Sequence, residues 1–351
     1  MSRESRRAAK KRKKSALIIL LCIFFGLIVV GFGTVFFTGY QVLDTIKEPD
    51  ITKKPNPVIV KEEETVVIPH ELKDDFKQND EEIAKNIAYG KTLSDDGVYT
   101  VILAGYDYGN HREENYYPRA DATILVSINK GTQQITMVSL SRAVYNAIPG
   151  VGNKRLNMAF AYGGGPLLIK TVEQNYKVKV DNYIAIDFES FAKVVDILGG
   201  VDITLSQAEY NALSKTLARS GIVLNGPGKY KLNGTSALAY VRLRSIDSDR
   251  ARTGRQRKFL NSIATSMRNI NAAQVIDLVD QILPEIETDM SKSKIVSEAV
   301  NVPKYIKWNM KQDIIPYKKL PLHNINGTEY LLIDWNDNVY YLQKLLYPQK
   351  F

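Results

Sequence analysis

An uncharged, apolar segment near the N-terminus divides the chain. Residues 16–37 contain no charged side chain and are rich in Leu, Ile, Val, Phe and Gly. A helix of about twenty apolar residues spans the ~30 Å hydrocarbon core of a bilayer, so this segment predicts a transmembrane helix. Residues 1–14 carry eight basic and one acidic side chain, and basic residues mark the cytoplasmic end of a membrane helix. The sequence therefore predicts a single-pass membrane protein with a cytoplasmic tail (1–14), an uncleaved signal anchor (15–38) and an extracellular remainder.

The positive charge of the chain is concentrated in this tail. The net charge is +9, but residues 1–14 contribute +7, and the remainder carries 39 basic and 37 acidic side chains. Anionic lipid headgroups account for a basic tail beside a membrane helix, and the rest of the chain has no basic excess or DNA-binding motif. The membrane is therefore a predicted partner, and nucleic acid is not.

Cysteine and histidine usage argues against several common chemistries. Cys22 is the only cysteine and lies in the predicted anchor, so the extracellular part must be stable through its core alone. A cysteine-free extracellular domain suits a Gram-positive bacterium, which has a single membrane. His70, His111 and His323 are too scattered to indicate a histidine metal site or a Ser-His catalytic pair.

The chain after the anchor divides into a stalk and a globular domain. Residues 39–95 are charged and contain prolines, which indicates a semi-extended stalk, with a solvent-facing helix at 71–88. Residues 96–351 form the predicted domain. Its apolar, β-branched runs predict strands at Val98–Ala104, Ala122–Ile128, Gln134–Leu140, Val178–Ile186 and Val201–Leu205. Helices are predicted at 165–176, 188–198, 207–219, 250–271, 273–283 and 292–302. This mixture predicts an α/β or α+β fold, with a central mixed β-sheet covered by helices.

A basic stretch from Tyr240 to Lys258 is the first candidate site. It holds six arginines and one lysine against two carboxylates. Arg242 and Arg244 are two residues apart, which places both on one side if the backbone is extended. The next candidates share one face of a helix: Asp249, Arg252 and Gln256.

That helical face continues into an apolar stripe, which must face a core. The stripe consists of Phe259, Leu260, Ile263 and Met267. Arg252 and Gln256 are therefore expected to point inward, and Arg250 and Arg257 outward. An inward arginine is unfavourable unless it meets an anion, and its planar fork suits phosphate. A phosphate site is the preferred interpretation, and structural ion pairs are the alternative.

A second candidate site follows the predicted strands. Asp107 ends one strand, and Arg119 and Asp121 begin the next. Two carboxylates at such positions can hold Mg²⁺ together with phosphate oxygens, although capping and turn formation explain aspartates equally well. Arg142 ends the third strand, and glycines at 163–165 open a helix. Together the two candidate sites collect an excess of arginine, which suits a doubly charged ligand such as pyrophosphate.

A series of ordered motifs resembles the LytR-CpsA-Psr family. The motifs are GYD, RADATILVSIN, VSLSR, KRLNMAFAYGGG, DNYIAIDFESFAKVVDILGGVDI, LNGTSALAYVRLR and DRARTGRQ. They cover about residues 97–270, with weaker likeness to about 345. The resemblance implies an α/β sandwich with an apolar lipid pocket, outside the membrane. It also implies transfer of a glycopolymer, such as wall teichoic acid or capsule, from a polyprenyl-pyrophosphate carrier to peptidoglycan.

The resemblance also implies roles for individual residues. The metal-binding aspartates, for Mg²⁺ or Mn²⁺, fall on Asp107 and Asp121. The pyrophosphate-binding residues fall on Arg119, Arg142, Arg242, Arg244, Arg252 and Gln256. The catalytic residues fall on Arg119, Asp121, Arg244 and Asp249, with Asp121 or Asp249 taking the acceptor proton and Asp247 as an alternative to Asp249. The chain reads Ser141-Arg142-Ala143 where the family has Pro-Arg-Asp, so any role of that aspartate is lost.

Three further interpretations remain open. A polyprenyl-pyrophosphate hydrolase would use the same residues with water as the acceptor. A non-enzymatic lipid-pyrophosphate binder or envelope regulator would keep the arginines and tolerate loss of both aspartates. The third concerns a set of side chains that either lines the lipid pocket or forms ordinary core: Phe188, Phe191, Val194, Val195 and Leu198.

Overall fold

The computed structural model describes residues 68–108, 118–243, 249–266, 281–305 and 308–351. The predicted tail, anchor and most of the stalk lie outside these ranges, as do Arg244 and Met267. Within the described ranges, none of the helices combines the length and the apolar character needed to cross a bilayer.

The described residues form the following strands and helices. The strands are β1 (Val98–Tyr106), β2 (Ala120–Asn129), β3 (Gln134–Leu140), β4 (Tyr145–Ile148), β5 (Gly152–Arg155), β6 (Asn182–Asp187), β7 (Val201–Leu205), β8 (Gly228–Leu232), β9 (Glu287–Thr288), β10 (Asn309–Ile315), β11 (His323–Ile325) and β12 (Thr328–Tyr330). The α-helices are α1 (Lys73–Tyr89), α2 (Asn157–Tyr176), α3 (Phe188–Ile197), α4 (Gln207–Leu217), α5 (Gly234–Val241), α6 (Asp249–Ser266), α7 (Lys292–Val300), α8 (Val302–Tyr305) and α9 (Trp335–Leu346). This is the mixed α/β fold that the sequence predicted.

The chain divides into two compact units. The sheet unit comprises the described residues within Ile51–Asp187 and Lys311–Phe351, and the helical unit those within Phe188–Met310. Within the sheet unit, the strands of the main sheet run in the order β10-β3-β2-β1-β6. β1 pairs antiparallel with β2 and parallel with β6, and β2 pairs antiparallel with β3, so the sheet is mixed. The predicted strands at β1, β2 and β3 are confirmed.

The central strands are nearly continuous apolar runs because the sheet is buried. β3 is buried at every position, and so is β1 except at Gly105. In a sheet with one wet face the residues would alternate between apolar and polar, and these do not. One pair of buried polar side chains bonds across the strands, with Thr100 Oγ1 3.2 Å from Ser127 Oγ.

Helix α1 packs into the sheet unit, contrary to the expectation of a solvent-facing stalk helix. Phe76 and Ile83 are each 2% exposed and belong to the core of this unit. The same face carries two buried asparagines, which donate to the carbonyl oxygens of Ile333 (from Asn79, 3.0 Å) and of Asn175 (from Asn86, 2.6 Å). These asparagines made the buried face look polar in the sequence.

Helix α2 begins eight residues earlier than predicted and is broken where the prediction began it. Asn157 is its first residue, but Gly163 (φ −164°, ψ 26°) and Gly164 (φ 59°, ψ −154°) are not helical, and Pro166 follows. The conformation of Gly164 is accessible to glycine almost alone. After α2, the predicted strand over 178–186 starts only at Asn182, with an isolated bridge at Val178.

The helical unit is held together by close backbone packing. A Cβ on Gly234 would lie 2.2 Å from the carbonyl oxygen of Ala192, so α5 approaches α3 as closely as it does only because this residue is glycine. Asn233 caps α5 by accepting from the backbone N–H of Ser236 at 3.0 Å. The predicted helix at 273–283 falls mostly outside the described residues, and its last residue, Leu283, begins a 3-10 turn.

Candidate functional site

The sheet unit gathers four predicted site residues at one end of its strands. Asp107 directly follows β1, and Arg119 directly precedes β2. Tyr106 pairs with Ala120 and Gly105 pairs with Ala122, so Asp121 is the extra residue of a β-bulge. A bulge bends its strand and re-aims the side chain it carries, and bulges are frequent beside active sites. Asp107 and Asp121 are both half-buried, whereas Arg119 is exposed.

The structure brings Arg142 and Asp121 into contact. Arg142 Nη1 donates to Asp121 Oδ1 at 2.5 Å, and the two side chains are 19% and 26% exposed. Arg142 follows the end of β3, which pairs with β2 through Ile124 and Ser139. A predicted phosphate ligand and a predicted metal ligand are therefore neighbours at the same end of the sheet.

The carboxylates of this cluster fit Mg²⁺ by their chemistry. Among the described residues there is no group of three or more His, Cys, Asp or Glu side chains able to hold a metal ion. Mg²⁺ commonly uses only one or two carboxylates and completes its shell with water and phosphate oxygens, whereas Zn²⁺ requires three or four nitrogen, sulfur or carboxylate ligands. Asp107 and Asp121 could therefore supply two carboxylates to Mg²⁺ or to the similarly hard Mn²⁺.

The helical unit carries two of the other predicted arginines, Arg242 at the end of α5 and Arg252 in α6. Arg252 is 3% exposed, which confirms its predicted inward orientation. Gln256 is half-buried, and its Oε1 atom is buried and accepts no hydrogen bond from any residue that the structure describes. Phe259 and Leu260 are buried, at 1% and 8% exposure, as the apolar stripe predicted. Asp249 begins α6, although its side chain is not among those described.

Arg255 is a buried arginine that sequence reasoning missed. It is 4% exposed, and its Nη2 donates to the carbonyl oxygen of Leu243 at 2.5 Å. The sequence spacing could have predicted that Arg255 is buried. Arg252, Arg255 and Phe259 follow the spacing i, i+3, i+7 and so share one face of α6. The observed contact of Arg255 is structural, because it joins α6 to the residues that follow α5.

Arg242 is exposed but held by an aromatic ring. It is the C-cap of α5 with helical φ and ψ of −95° and −5°, so the extended backbone considered for Arg242 and Arg244 is wrong at this residue. Its guanidinium carbon lies 4.3 Å from the centre of the Phe188 ring. A cation over an aromatic face at this distance is attracted to it, which restricts the orientations of the guanidinium.

The candidate lipid-pocket residues separate into two groups. Val194 and Val195 are buried, at 7% and 0% exposure, and form ordinary core. Phe188, Phe191 and Leu198 are only half-buried. Phe191 packs on Phe259 with ring centres 5.2 Å apart. The aromatic residues of α3 therefore lie beside the helices that carry Arg242 and Arg252.

Comparison with known proteins identifies a family and similar proteins for much of the chain. The model of the LytR_cpsA_psr family matches residues 60–345. The chain is 33% identical over 195 residues to a protein of Bacillus subtilis (strain 168) named polyisoprenyl-teichoic acid--peptidoglycan teichoic acid transferase TagT, a match that covers 55% of this chain and 60% of the relative. The chain thus spans about three fifths of the length of that curated relative.

Two solved structures of TagT resemble the fold. TagT bound to LIIa-WTA superposes with a TM-score of 0.60 at 26% identity, covering 73% of this chain and 93% of that one. TagT, also called YwtF, with bound octaprenyl pyrophosphate lipid superposes with a TM-score of 0.55 at 26% identity and the same coverage. Both likenesses extend over nearly all of the TagT chain in those structures.

Proposed function

Because the chain belongs to the LytR_cpsA_psr family, we propose that it transfers an anionic glycopolymer from a polyprenyl-pyrophosphate carrier to peptidoglycan. The family match at residues 60–345 carries the proposal, since it includes both groups of candidate arginines. The named activity of TagT and its structure with octaprenyl pyrophosphate support the class of donor. The polymer is wall teichoic acid, capsule or a similar anionic glycan.

The arginines bind the pyrophosphate of the donor in this proposal. The residues proposed for this role are Arg119, Arg142, Arg242, Arg244 and Arg252, together with Gln256. A buried guanidinium is stabilised by an anion, and its paired N–H groups match phosphate oxygens. Because the departing lipid phosphate gains negative charge as its bond breaks, fixed positive groups around it lower the barrier.

The chemical step is a displacement at phosphorus. A sugar hydroxyl of peptidoglycan attacks the phosphorus that bears the glycan, and a new P–O bond forms to the acceptor. The bond from that phosphorus to the bridging oxygen breaks, so polyprenyl phosphate leaves with the electron pair. The hydroxyl proton passes to a carboxylate, either Asp121 or Asp249. Of these, Asp121 is already oriented, because Arg142 holds its Oδ1 atom.

Asp107 and Asp121 would hold a Mg²⁺ or Mn²⁺ ion in this scheme. When bound, such an ion neutralises phosphate oxygens and so favours the same charge development as the arginines. The oxygen ligands and their number fit that ion, as the donor chemistry of the cluster indicates. Addition of EDTA is expected to abolish transfer, and Mg²⁺ in excess to restore it.

The location proposed for the protein follows from the sequence. A single membrane helix at residues 16–37 with basic residues 1–14 on the cytoplasmic side would place the domain outside the cell. That position gives it access both to the carrier lipid in the outer leaflet and to peptidoglycan. With Cys22 replaced by serine, Tyr89→Cys and Tyr340→Cys are each expected to react with a membrane-impermeant thiol reagent on intact cells, and absence of labelling would contradict the orientation.

The decisive experiment uses the full-length chain in detergent with a polyprenyl-pyrophosphate-linked glycan and peptidoglycan oligomers. Glycan joined to peptidoglycan, and lost in the Arg252→Met variant, supports the transferase. Arg219→Ala is the matched control, because Arg219 is exposed and belongs to the same unit. Free glycan phosphate without coupling would instead identify a hydrolase. Tight lipid binding without either product would identify a binder.

A further inference from the structure

Glu209 takes part in the start of helix α4. Ser206 is the N-cap residue, and its Oγ accepts from the backbone N–H of Glu209 at 3.3 Å. In return, Glu209 Oε2 accepts from the backbone N–H of Ser206 at 2.9 Å. This reciprocal capping box satisfies two backbone donors at a helix N-terminus, and it requires no further partner.

The same carboxylate also binds two side chains from other helices. Glu209 Oε1 accepts from the hydroxyl of Tyr240 in α5 at 2.8 Å. Glu209 Oε2 accepts from Nζ of Lys258 in α6 at 2.9 Å, and that ammonium donates in addition to the carbonyl oxygen of Thr204 at 2.6 Å. Tyr240 is 0% exposed, the Glu209 side chain 12% and the Lys258 side chain 40%, so the carboxylate is largely shielded from water while the ammonium group reaches the solvent. Capping alone does not explain why this half-buried carboxylate accepts from three kinds of donor.

The two helices joined by Glu209 are those that carry Arg242 and Arg252. Tyr240 lies two residues before Arg242, and Lys258 lies two residues after Gln256 and six after Arg252. A second bond joins the same helices, from Arg255 to the carbonyl oxygen of Leu243. The two attachments of α6, at Arg255 and Lys258, are about one turn apart, and the second reaches α5 through the Glu209 carboxylate.

We propose that Glu209 is a positioning residue that clamps α5 to α6, so that Arg242 and Arg252 are held at one fixed spacing for the pyrophosphate group of the donor. The inference rests on the proposed function and deepens it. A clamp of this kind strengthens anion binding because the arginines need not be ordered when the ligand arrives. Glu209 itself touches no ligand in this account.

The ionisation states of the network agree with this role. Burial alone would raise the pKa of Glu209, but the hydrogen bonds from the Ser206 N–H, Lys258 and Tyr240 outweigh it and leave the pKa below its ordinary value. Burial and the bond to Glu209 raise the pKa of Tyr240 above its ordinary value. At neutral pH the carboxylate is therefore charged and the phenol protonated, which are the states that the observed bonds require.

The test compares binding with folding in the full-length chain in detergent. Three variants weaken the clamp: Glu209→Gln, Tyr240→Phe and Lys258→Met. Ser206→Ala is the matched control, because it removes a cap from the same helix and leaves the three clamp side chains in place. The measurements are the Kd for inorganic pyrophosphate and for a short-chain polyprenyl pyrophosphate by calorimetry, together with Tm.

Each clamp variant is expected to raise the Kd roughly tenfold, which corresponds to the loss of one hydrogen bond to a charged group. Ser206→Ala is expected to lower Tm about as much as the clamp variants do, because it removes a helix cap, while its Kd stays within about twofold of the wild-type value. Adding Tyr240→Phe to Glu209→Gln should change the Kd little further, because both act through one carboxylate. This non-additivity would support the clamp.

Two results would overturn the inference in different ways. If the clamp variants lose Tm but keep the wild-type Kd, the network is structural only, and the proposed function stands. If the wild-type protein binds neither pyrophosphate probe, the proposed function fails and the clamp fails with it. Should Glu209→Gln not fold, Tyr240→Phe decides alone, since it removes a single oxygen atom.

Discussion

At the scale of single residues, Asp121, a proposed metal ligand and proton acceptor, is paired with Arg142, a proposed pyrophosphate ligand. The pair is only partly buried, so its contribution to stability is expected to be small, up to about 1 kcal/mol. The pair matters because the bulge and Arg142 together fix the orientation of the Asp121 carboxylate. A site of this kind is sensitive to small chemical changes that the fold as a whole tolerates.

Asp121→Asn tests this separation of activity from stability. The amide cannot accept the acceptor proton, so glycan transfer is expected to fall by about 10² or more, while Tm changes by only a few degrees. Asp337→Asn serves as the control, since Asp337 is also paired with a cation in the sheet unit, Lys318, at 2.9 Å. Transfer by Asp121→Asn at near wild-type rates would remove Asp121 from the mechanism.

The depressed pKa of Glu209 predicts a pH dependence. A carboxyl whose pKa is lower in the folded than in the unfolded protein stabilises the fold fully above its ordinary pKa, 4.5, and loses that contribution as pH falls through the folded value. The Tm difference between wild type and Glu209→Gln should therefore be constant from about pH 6 to 8 and shrink below 4.5. Thermal unfolding at a series of pH values measures it. If this Tm difference widened as the pH fell, a group other than Glu209 would determine the pH dependence.

At the scale of secondary-structure elements, helix α2 shows how glycine permits close packing. The helix breaks at Gly163 and Gly164, and the next residue, Gly165, lies against the ring of Tyr183 in β6. A Cβ on Gly165 would come within 2.3 Å of that ring. The helix therefore approaches the sheet closely at this point only because the residue has no side chain.

Gly165→Ala is expected to destabilise the protein by about 1–3 kcal/mol, because the buried Tyr183 must shift to admit the methyl group. Gly254→Ala is the matched control, since a Cβ on Gly254, within α6, would meet nothing within 4 Å. That substitution should be neutral or stabilising by up to about 1 kcal/mol, as alanine is the better helix former. Urea unfolding measures both, and equal effects of the two substitutions would contradict this account of α2.

At the scale of the whole molecule, the segment expected to be a stalk contributes to the core of the sheet unit. Phe76 and Ile83 of α1 belong to that core, and Asn79 and Asn86 bond to carbonyl oxygens far away in the chain. A domain that begins at residue 96 would therefore lack part of its own interior. The folded region includes α1 from Lys73 onward.

This finding predicts a difference between two fragments. A fragment of residues 68–351 should be more stable than one of residues 96–351 by several kcal/mol, since burying a Phe or Ile side chain contributes about 1.5–3 kcal/mol each. Urea denaturation of both fragments provides the measurement. Identical midpoints would show that α1 is dispensable. As a control, removal of the exposed C-terminal Phe351, which is 51% exposed, should leave the midpoint nearly unchanged.

The sequence by itself determined the features that depend on local pattern. Continuous β-branched runs identified β1, β2 and β3, and helical spacing identified the inward face of α6 with Arg252. The ordered motifs led to the family. These signals are readable because strand and helix periodicities are properties of neighbouring residues.

Only the tertiary structure decided which distant residues meet. Asp121 and Arg142 are 21 positions apart, and Glu209 reaches Tyr240 and Lys258 over 31 and 49 positions. It also decided that the polar face of α1 is buried, because the amide nitrogens of Asn79 and Asn86 donate to carbonyl groups that no local pattern reveals. Contacts between residues so far apart in the sequence depend on how the whole chain folds. Backbone geometry and burial determine which side chains meet, and the neighbouring residues in the sequence do not.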